Sequence, residues 1–314
     1  MTPFHQWIVP FLLSGASAWA GQTEHAWSWD REDTRLALRN DGDIVWRLNF
    51  GPDQPKPNFH PLATTGGQTL TAYEPDDHPW HRGLWWAWKY INGVNYWEEN
   101  RETRASPGRT TVTKATIETG DDFSARATLN IDYHPPGQPA LLTEVRHLTI
   151  NPPDASGGYT IDWSSRFTAG DAVVTLDRTP PPAAGGPRHG GYAGLSLRFS
   201  KEFEEMTCLT NTGETQATEA HSSPARWLAF STESASAAIL DHPENLRHPQ
   251  PWYVWNTTHM RFFSPSPIFD TPLGLDPGES FHLRYRILIQ STPADPESLE
   301  NAWKTFQSTE FPNP

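Results

Sequence analysis

Apolar and polar residues alternate with period two through much of this chain. Leu36 and Leu38 take alternate positions, Asn40-Asp41-Gly42 marks a turn, and Ile44, Trp46, Leu48 and Phe50 alternate beyond it. That is the pattern of a hairpin with one buried face. The same alternation returns at Ala125-Ala127-Leu129-Ile131-Tyr133, at Tyr159-Ile161-Trp163-Ser165-Phe167 and at Leu195-Leu197-Phe199. Leu141 to Ile150 mixes apolar and polar residues, as a strand paired with a neighbour does, and Trp227–Phe230 and Ala237–Leu240 are short apolar runs. The clearest strand comes late: Phe281, Leu283, Tyr285, Ile287 and Ile289 share one face, with His282, Arg284 and Arg286 on the other. One helix stands out, with Asp295 as its cap, Pro296 in its first turn, and Leu299, Trp303 and Phe306 at near-helical spacing. The pattern predicts an all-β protein, a large antiparallel β-sandwich with one C-terminal helix.

Composition sharpens this picture. Thirty prolines and 22 glycines in 314 residues disfavour a helical protein. A net charge of −13 argues against nucleic acid as a partner, because phosphate binding needs a basic stripe. It argues equally against docking on anionic lipid. The single cysteine, Cys208, rules out an internal disulfide and a cysteine zinc cluster. At the N-terminus, the mostly apolar run Trp7 to Leu13 precedes the small-x-small triplet Ala18-Trp19-Ala20, although no Lys or Arg comes before it. Residues 1–20 therefore read as a signal peptide, and 21–314 as a single β-sandwich domain exported to the periplasm or the medium. No later stretch approaches the ~20 apolar residues of a membrane span.

Candidate chemistry concentrates between Tyr73 and Asn100, where two histidines, an arginine and several carboxylates sit among five tryptophans. Titratable groups set among aromatic faces are what a small-molecule pocket uses. Asp-His-Pro occurs here at 77–79 and again at 241–243, and His189 adjoins a proline- and glycine-rich segment. The sequence therefore predicts that His78, His81, Arg82, His189 and His242 share one pocket as catalytic residues. Histidine suits proton transfer near neutral pH, and Arg82 and Lys56 are placed to hold an anion or a developing oxyanion. Trp85, Trp97 and Trp252 offer apolar faces and Asn92 and Asn245 hydroxyl-reading amides; His60, Glu98, Tyr192 and Arg198 complete the expected binding set. A bound metal is the competing use of the same histidines: His78 and His81 are three apart, and His242 and His248 six apart. Pro79 forbids the helical two-histidine zinc motif, however, and no cofactor is expected. Serine-nucleophile and phosphate-loop motifs are absent.

Six blocks, KPNFHPL at 56–62, DHPWHRGLWW at 77–86, NGVNYW at 92–97, GGYAGLSLRF at 190–199, DHPENLRHPQPWYV at 241–254 and PGESFHLRYRILI at 277–289, give the chain its family likeness. In these blocks it resembles the PmoA-like family of uncharacterised secreted bacterial proteins. The family usually carries a histidine where Trp80 stands. The resemblance implies a sandwich of the galactose-mutarotase type and a setting among carbohydrate-degrading genes. Residues and resemblance together predict a secreted or periplasmic enzyme that cleaves or rearranges a glycoside or sugar derivative by histidine and carboxylate chemistry. The alternative is a non-catalytic sugar-binding protein of the same system.

Overall fold

The computed structural model describes residues 27–203, 206–309 and 311, besides Met1; the expected signal peptide lies outside the described segments. Two antiparallel sheets pack face to face. One has eight strands in the spatial order Trp27–Glu32, Arg35–Asn40, Asp43–Asn49, Asn58–Leu62, Leu84–Ala87, Gly194–Arg198, Arg261–Pro265, Trp252–Asn256. The other has nine, in the order Gly213–Thr215, Thr207–Thr210, Trp227–Ser231, Ser236–Asp241, Ser280–Gln290, Tyr159–Ala169, Leu142–Ile150, Ala125–His134, Arg109–Thr119. A small sheet of Leu273–Leu275, Val174–Asp177, Tyr90–Ile91 and Val94–Asn95 stands beside them. The described residues form the antiparallel sandwich that the alternation predicts, and the sequence-derived hairpin is the pair Arg35–Asn40 and Asp43–Asn49. A bulge between Leu38 and Arg39 shifts its register, so Val45 is buried while Ile44 is half-exposed.

Burial follows the period of two. Ala125, Ala127, Leu129, Ile131 and Tyr133 are buried, and the residues between them are not. They meet Leu148, Trp163, Phe167 and Ile287 of their own sheet and Leu38, Trp46, Trp86, Leu195 and Phe263 of the other in one continuous core. Trp86 spans the layers, its ring 5.2 Å from that of Phe167 and 6.1 Å from that of Tyr285. Glu144 and Arg146 are buried in this layer as well. Arg146 binds the carboxylate with two hydrogen bonds, of 2.7 and 2.9 Å, while Tyr133 and Ser165 each donate at 2.5 Å. The buried carboxylate is thus neutralised and saturated, as its desolvation requires.

The C-terminal helix Pro296–Phe306 begins where Asp295 accepts the Ser298 backbone N–H at 2.9 Å. It lays Leu299 and Phe306 on Trp227, Leu240 and Leu288, covering the far face of the nine-stranded sheet. Phe167 touches Trp86, Trp88, Tyr133 and Phe281 and is fully buried. Phe167→Ala is expected to cost about 3–5 kcal/mol, read as a lowered urea midpoint without loss of the folded baseline.

Candidate functional site

Four strands, Leu84–Ala87, Gly194–Arg198, Arg261–Pro265 and Trp252–Asn256, send alternate side chains to the two faces of the eight-stranded sheet. Trp86, Leu195, Phe263 and Val254 face the inter-sheet core. Trp85, Ala87, Phe262 and Tyr253 face outward and pack with Trp97 and Phe269 as a second, separate aromatic cluster. Loops close over it and leave a cavity of about 410 Å³ lined by His78, Trp80, His81, Trp97, Glu98, His189, Tyr192, Tyr253, Trp255, Met260 and Phe262.

The histidine wall is a closed loop. Tyr73 bridges Arg82, the Glu74 N–H donates to the His81 carbonyl at 2.9 Å, and the His78 N–H donates to the Pro75 carbonyl at 2.9 Å. Gly83 ends the loop at φ +72°, and a Cβ there would stand 2.4 Å from the Phe59 carbonyl oxygen, so only glycine lets the loop lie on the neighbouring strand. Within the loop, Asp77 Oδ2 is shared by His78 Nδ1 at 3.0 Å and by the Arg198 guanidinium at 2.7 Å. Burial pushes the Asp77 carboxyl up, but the hydrogen bonds from His78 and Arg198 and the Arg198 charge outweigh it and hold it below the usual carboxylate range. An ionised Asp77 requires Nδ1–H on His78, which leaves the Nε2 lone pair to take a proton. His81 stacks on His78, ring centres 4.7 Å apart, and rests on Trp85 at 5.0 Å. Burial, and to a lesser degree the neighbouring cations, drive His81 well below the ordinary histidine value, so it stays neutral.

The carboxylate wall is Glu98. Asn95 shapes its turn, accepting the N–H groups of Trp97 at 2.8 Å and Glu98 at 3.2 Å. The Asn95 amide donates to Glu98 Oε2 at 2.7 Å, Lys89 pairs with the same oxygen, and Tyr192 donates to Oε1 at 2.7 Å. Burial raises the Glu98 pKa, but Lys89, by charge and hydrogen bond, with Tyr192 and Asn95 brings it below the usual range. Glu98 is therefore an anion among aromatic rings: Trp97 lies 4.9 Å from Tyr192, and Tyr192 lies 5.4 Å from Tyr253.

Of the residues expected to meet, His78, His81, His189, Trp97, Glu98 and Tyr192 line the cavity. Arg198 supports it through Asp77, and Trp85 forms the floor beneath His81. The others are elsewhere. Arg82 is fully buried and paired with Glu74 and Glu99, and Lys56 is fully buried on Glu99 at 2.5 Å, so neither reaches a ligand as expected. His242 sits against Phe306 and Phe311 beside the C-terminal helix, not with His78. Asn245 is buried, its amide spent on Asp241 and on the Arg284 backbone. Asn92 occupies a hairpin turn at φ +48°, bound to Val173 and Thr175, and Trp252 is a core residue bonded to the Ala225 carbonyl. His60 stacks on Tyr73 and binds Thr71 outside the cavity. Sequence reasoning passed over Asp77, Asn95, Lys89, Tyr253, Trp255 and Phe262. The outward alternation of Tyr253 and Trp255 was the available signal. Among the described residues, no three histidine, cysteine or acidic side chains converge as metal ligands, and no helix is long and apolar enough to cross a membrane.

Burial lowers His60 to about 4, with a smaller contribution from the Arg47 charge. The unfolded chain therefore binds a proton that the folded chain refuses, so this contribution to stability is complete above pH ~6.5 and is lost as pH falls toward 4. His60→Gln is expected to reduce the acid loss of unfolding free energy across that window by about 3 kcal/mol, measured by urea titration at several pH values.

The family of unknown function DUF6807 matches residues 35–304, and the chain belongs to it. No curated protein matches it. Among solved structures it is similar to an alpha-galactosidase from Lactobacillus brevis, with 11% identity and TM-score 0.43, over 90% of this chain and 42% of that one. It is similar also to the galactosidase domain of an alpha-galactosidase–sucrose kinase, with 12% identity and TM-score 0.42, over 85% of this chain and 42% of that one. The chain spans less than half the length of either.

Proposed function

We propose that this DUF6807 protein is an exported carbohydrate-active enzyme that cleaves or rearranges a glycoside or sugar derivative by acid–base chemistry. One observation carries the reading: the Arg198–Asp77–His78 line ends in an aromatic-walled cavity that also holds the ionised Glu98. Asp77 orients His78 and stabilises the imidazolium that forms when Nε2 takes a proton; Arg198 keeps Asp77 ionised and in place. Glu98, held as an anion, accepts hydrogen bonds from sugar hydroxyls or serves as the partner base. Trp80, Trp97 and Trp255 supply apolar faces for a ring. Export and a polysaccharide-degradation setting enter with the resemblance of the six sequence blocks to PmoA-like secreted proteins and with the Ala18-Trp19-Ala20 triplet.

A second reading, sugar binding without turnover, is favoured by the three donors that already hold Glu98. The two separate on incubation with neutral and acidic oligosaccharides, followed by NMR of anomeric signals and by the absorbance of unsaturated products, with and without a chelator. Product formation that is abolished in His78→Gln supports catalysis; tight binding with no product from the native protein overturns it and leaves the binding reading.

A further inference from the structure

Beside the histidine cavity lies a second one, of about 380 Å³, and the Trp255 indole belongs to both. The proline- and glycine-rich segment spanning residues 179–191 also serves both, giving His189 to one and its neighbour Arg188 to the other. Adjacent cavities sharing one aromatic partition fit a chain-like ligand better than two independent small molecules. The second cavity has an apolar body, with Phe269 and Trp255 in its wall, and a polar edge that includes Thr218, Asn256 and His221. His221 is fixed by the Val254 backbone, 3.2 Å from its Nδ1. In a protein of net charge −13, none of the residues lining this cavity is acidic, and Arg188 supplies its one guanidinium. That guanidinium lies 5.7 Å from the centre of the Trp255 ring, a placement in which the ring helps hold the cation beside any sugar stacked in the cavity. The contrast with the first cavity, which holds the Glu98 carboxylate, makes the two ends electrostatically unlike.

We propose that the Arg188–Trp255 cavity is a second subsite that binds an anionic sugar unit, carboxylated or sulfated, next to the unit held at His78. This rests on the carbohydrate reading of the His78 cavity and gives it a substrate class: acidic oligosaccharides of at least two units. A planar guanidinium matches a carboxylate or sulfate with paired hydrogen bonds.

The test is calorimetric titration of the full chain with three probes: trigalacturonate, the same trisaccharide after carboxyl reduction, and a sulfated galactan trisaccharide. The native protein should bind at least one anionic probe more tightly than the neutral one. Arg188→Gln should weaken the anionic probe about 10-fold to 100-fold, the range for lost charge-assisted hydrogen bonds, and change the neutral probe by less than about 2-fold. The two anionic probes show whether carboxylate or sulfate is the group read. Thr218→Trp, which fills the cavity without removing the charge, should weaken all trisaccharides and leave the binding of neutral galactose unchanged. Equal affinity for anionic and neutral probes, equal losses for both in Arg188→Gln, or no binding of any probe overturns the proposal. Charge-selective binding without product sinks the catalytic reading but not this one, whereas turnover indifferent to charge sinks this one alone.

Discussion

His78→Gln should keep the fold and most of the sugar affinity while lowering turnover by about 10²–10⁴-fold, the usual contribution of a positioned proton-transfer group. Glutamine retains a side chain able to hydrogen-bond Asp77 but has no group that takes a proton near neutral pH. Asp77→Asn removes the charge that stabilises the imidazolium and takes from Arg198 its only paired carboxylate among the described residues, leaving the His259 carbonyl, so it should depress turnover as well, with little change in sugar affinity. A merely structural His78 would show the opposite split: affinity and stability would fall together, while turnover by the protein that stays folded would not. Unchanged turnover in His78→Gln removes His78 from the chemistry.

The second large effect is on stability. Glu99 is buried between two cations, accepting from Lys56 at 2.5 Å and pairing with Arg82. Burial lowers the Lys56 pKa despite the opposing pull of Glu99, so the lysine depends on that carboxylate to remain charged. Glu99→Gln strands the buried Lys56 cation and leaves Arg82 with Glu74 alone, and should cost about 3–5 kcal/mol, the range for breaking a buried pair from one side. Exposed Glu102 is the control, where Glu102→Gln should stay within about 0.5 kcal/mol. Lys56 also donates to the Trp97 carbonyl at 2.9 Å. The loss in Glu99→Gln should therefore come with loosening of the segment carrying Trp97 and Glu98, visible as faster amide exchange there. Equal unfolding free energies for the two variants would show that Lys56 and Arg82 find other compensation.

The period of two made the sandwich legible, because a strand that buries one face must alternate. The Arg35–Asn49 hairpin and the strands Ala125–His134 and Ser280–Gln290 follow directly from it. The bulge at Leu38 and Arg39 did not show, since one extra residue leaves the composition of the hairpin unchanged. The crowding of imidazoles and indoles between Tyr73 and Asn100 pointed to the cavity that His78, His81, Trp97 and Glu98 line. It could not say which cations were already paired. Arg82 and Lys56 read as ligand-binding charges, yet Glu74 and Glu99 neutralise them inside the protein. The two Asp-His-Pro tripeptides look alike but diverge in space. Asp77 lies in a loop and is shared by His78 and Arg198. Asp241 ends a buried strand and is engaged by Asn245, His248 and the Gln250 N–H, which turns His242 toward the C-terminal helix.

The aromatic cluster under the cavity is separate from the core between the sheets, although the same strands supply both. Neighbouring residues such as Trp85 and Trp86, or Tyr253 and Val254, thus answer to different demands, one to ligand shape and the other to cohesion of the sandwich. Exchanges confined to the outward set can remodel what the cavity accepts without touching the core between the sheets, provided the buried volume is conserved. The scaffold can in this way drift from one ligand to another through folded intermediates, one outward position at a time.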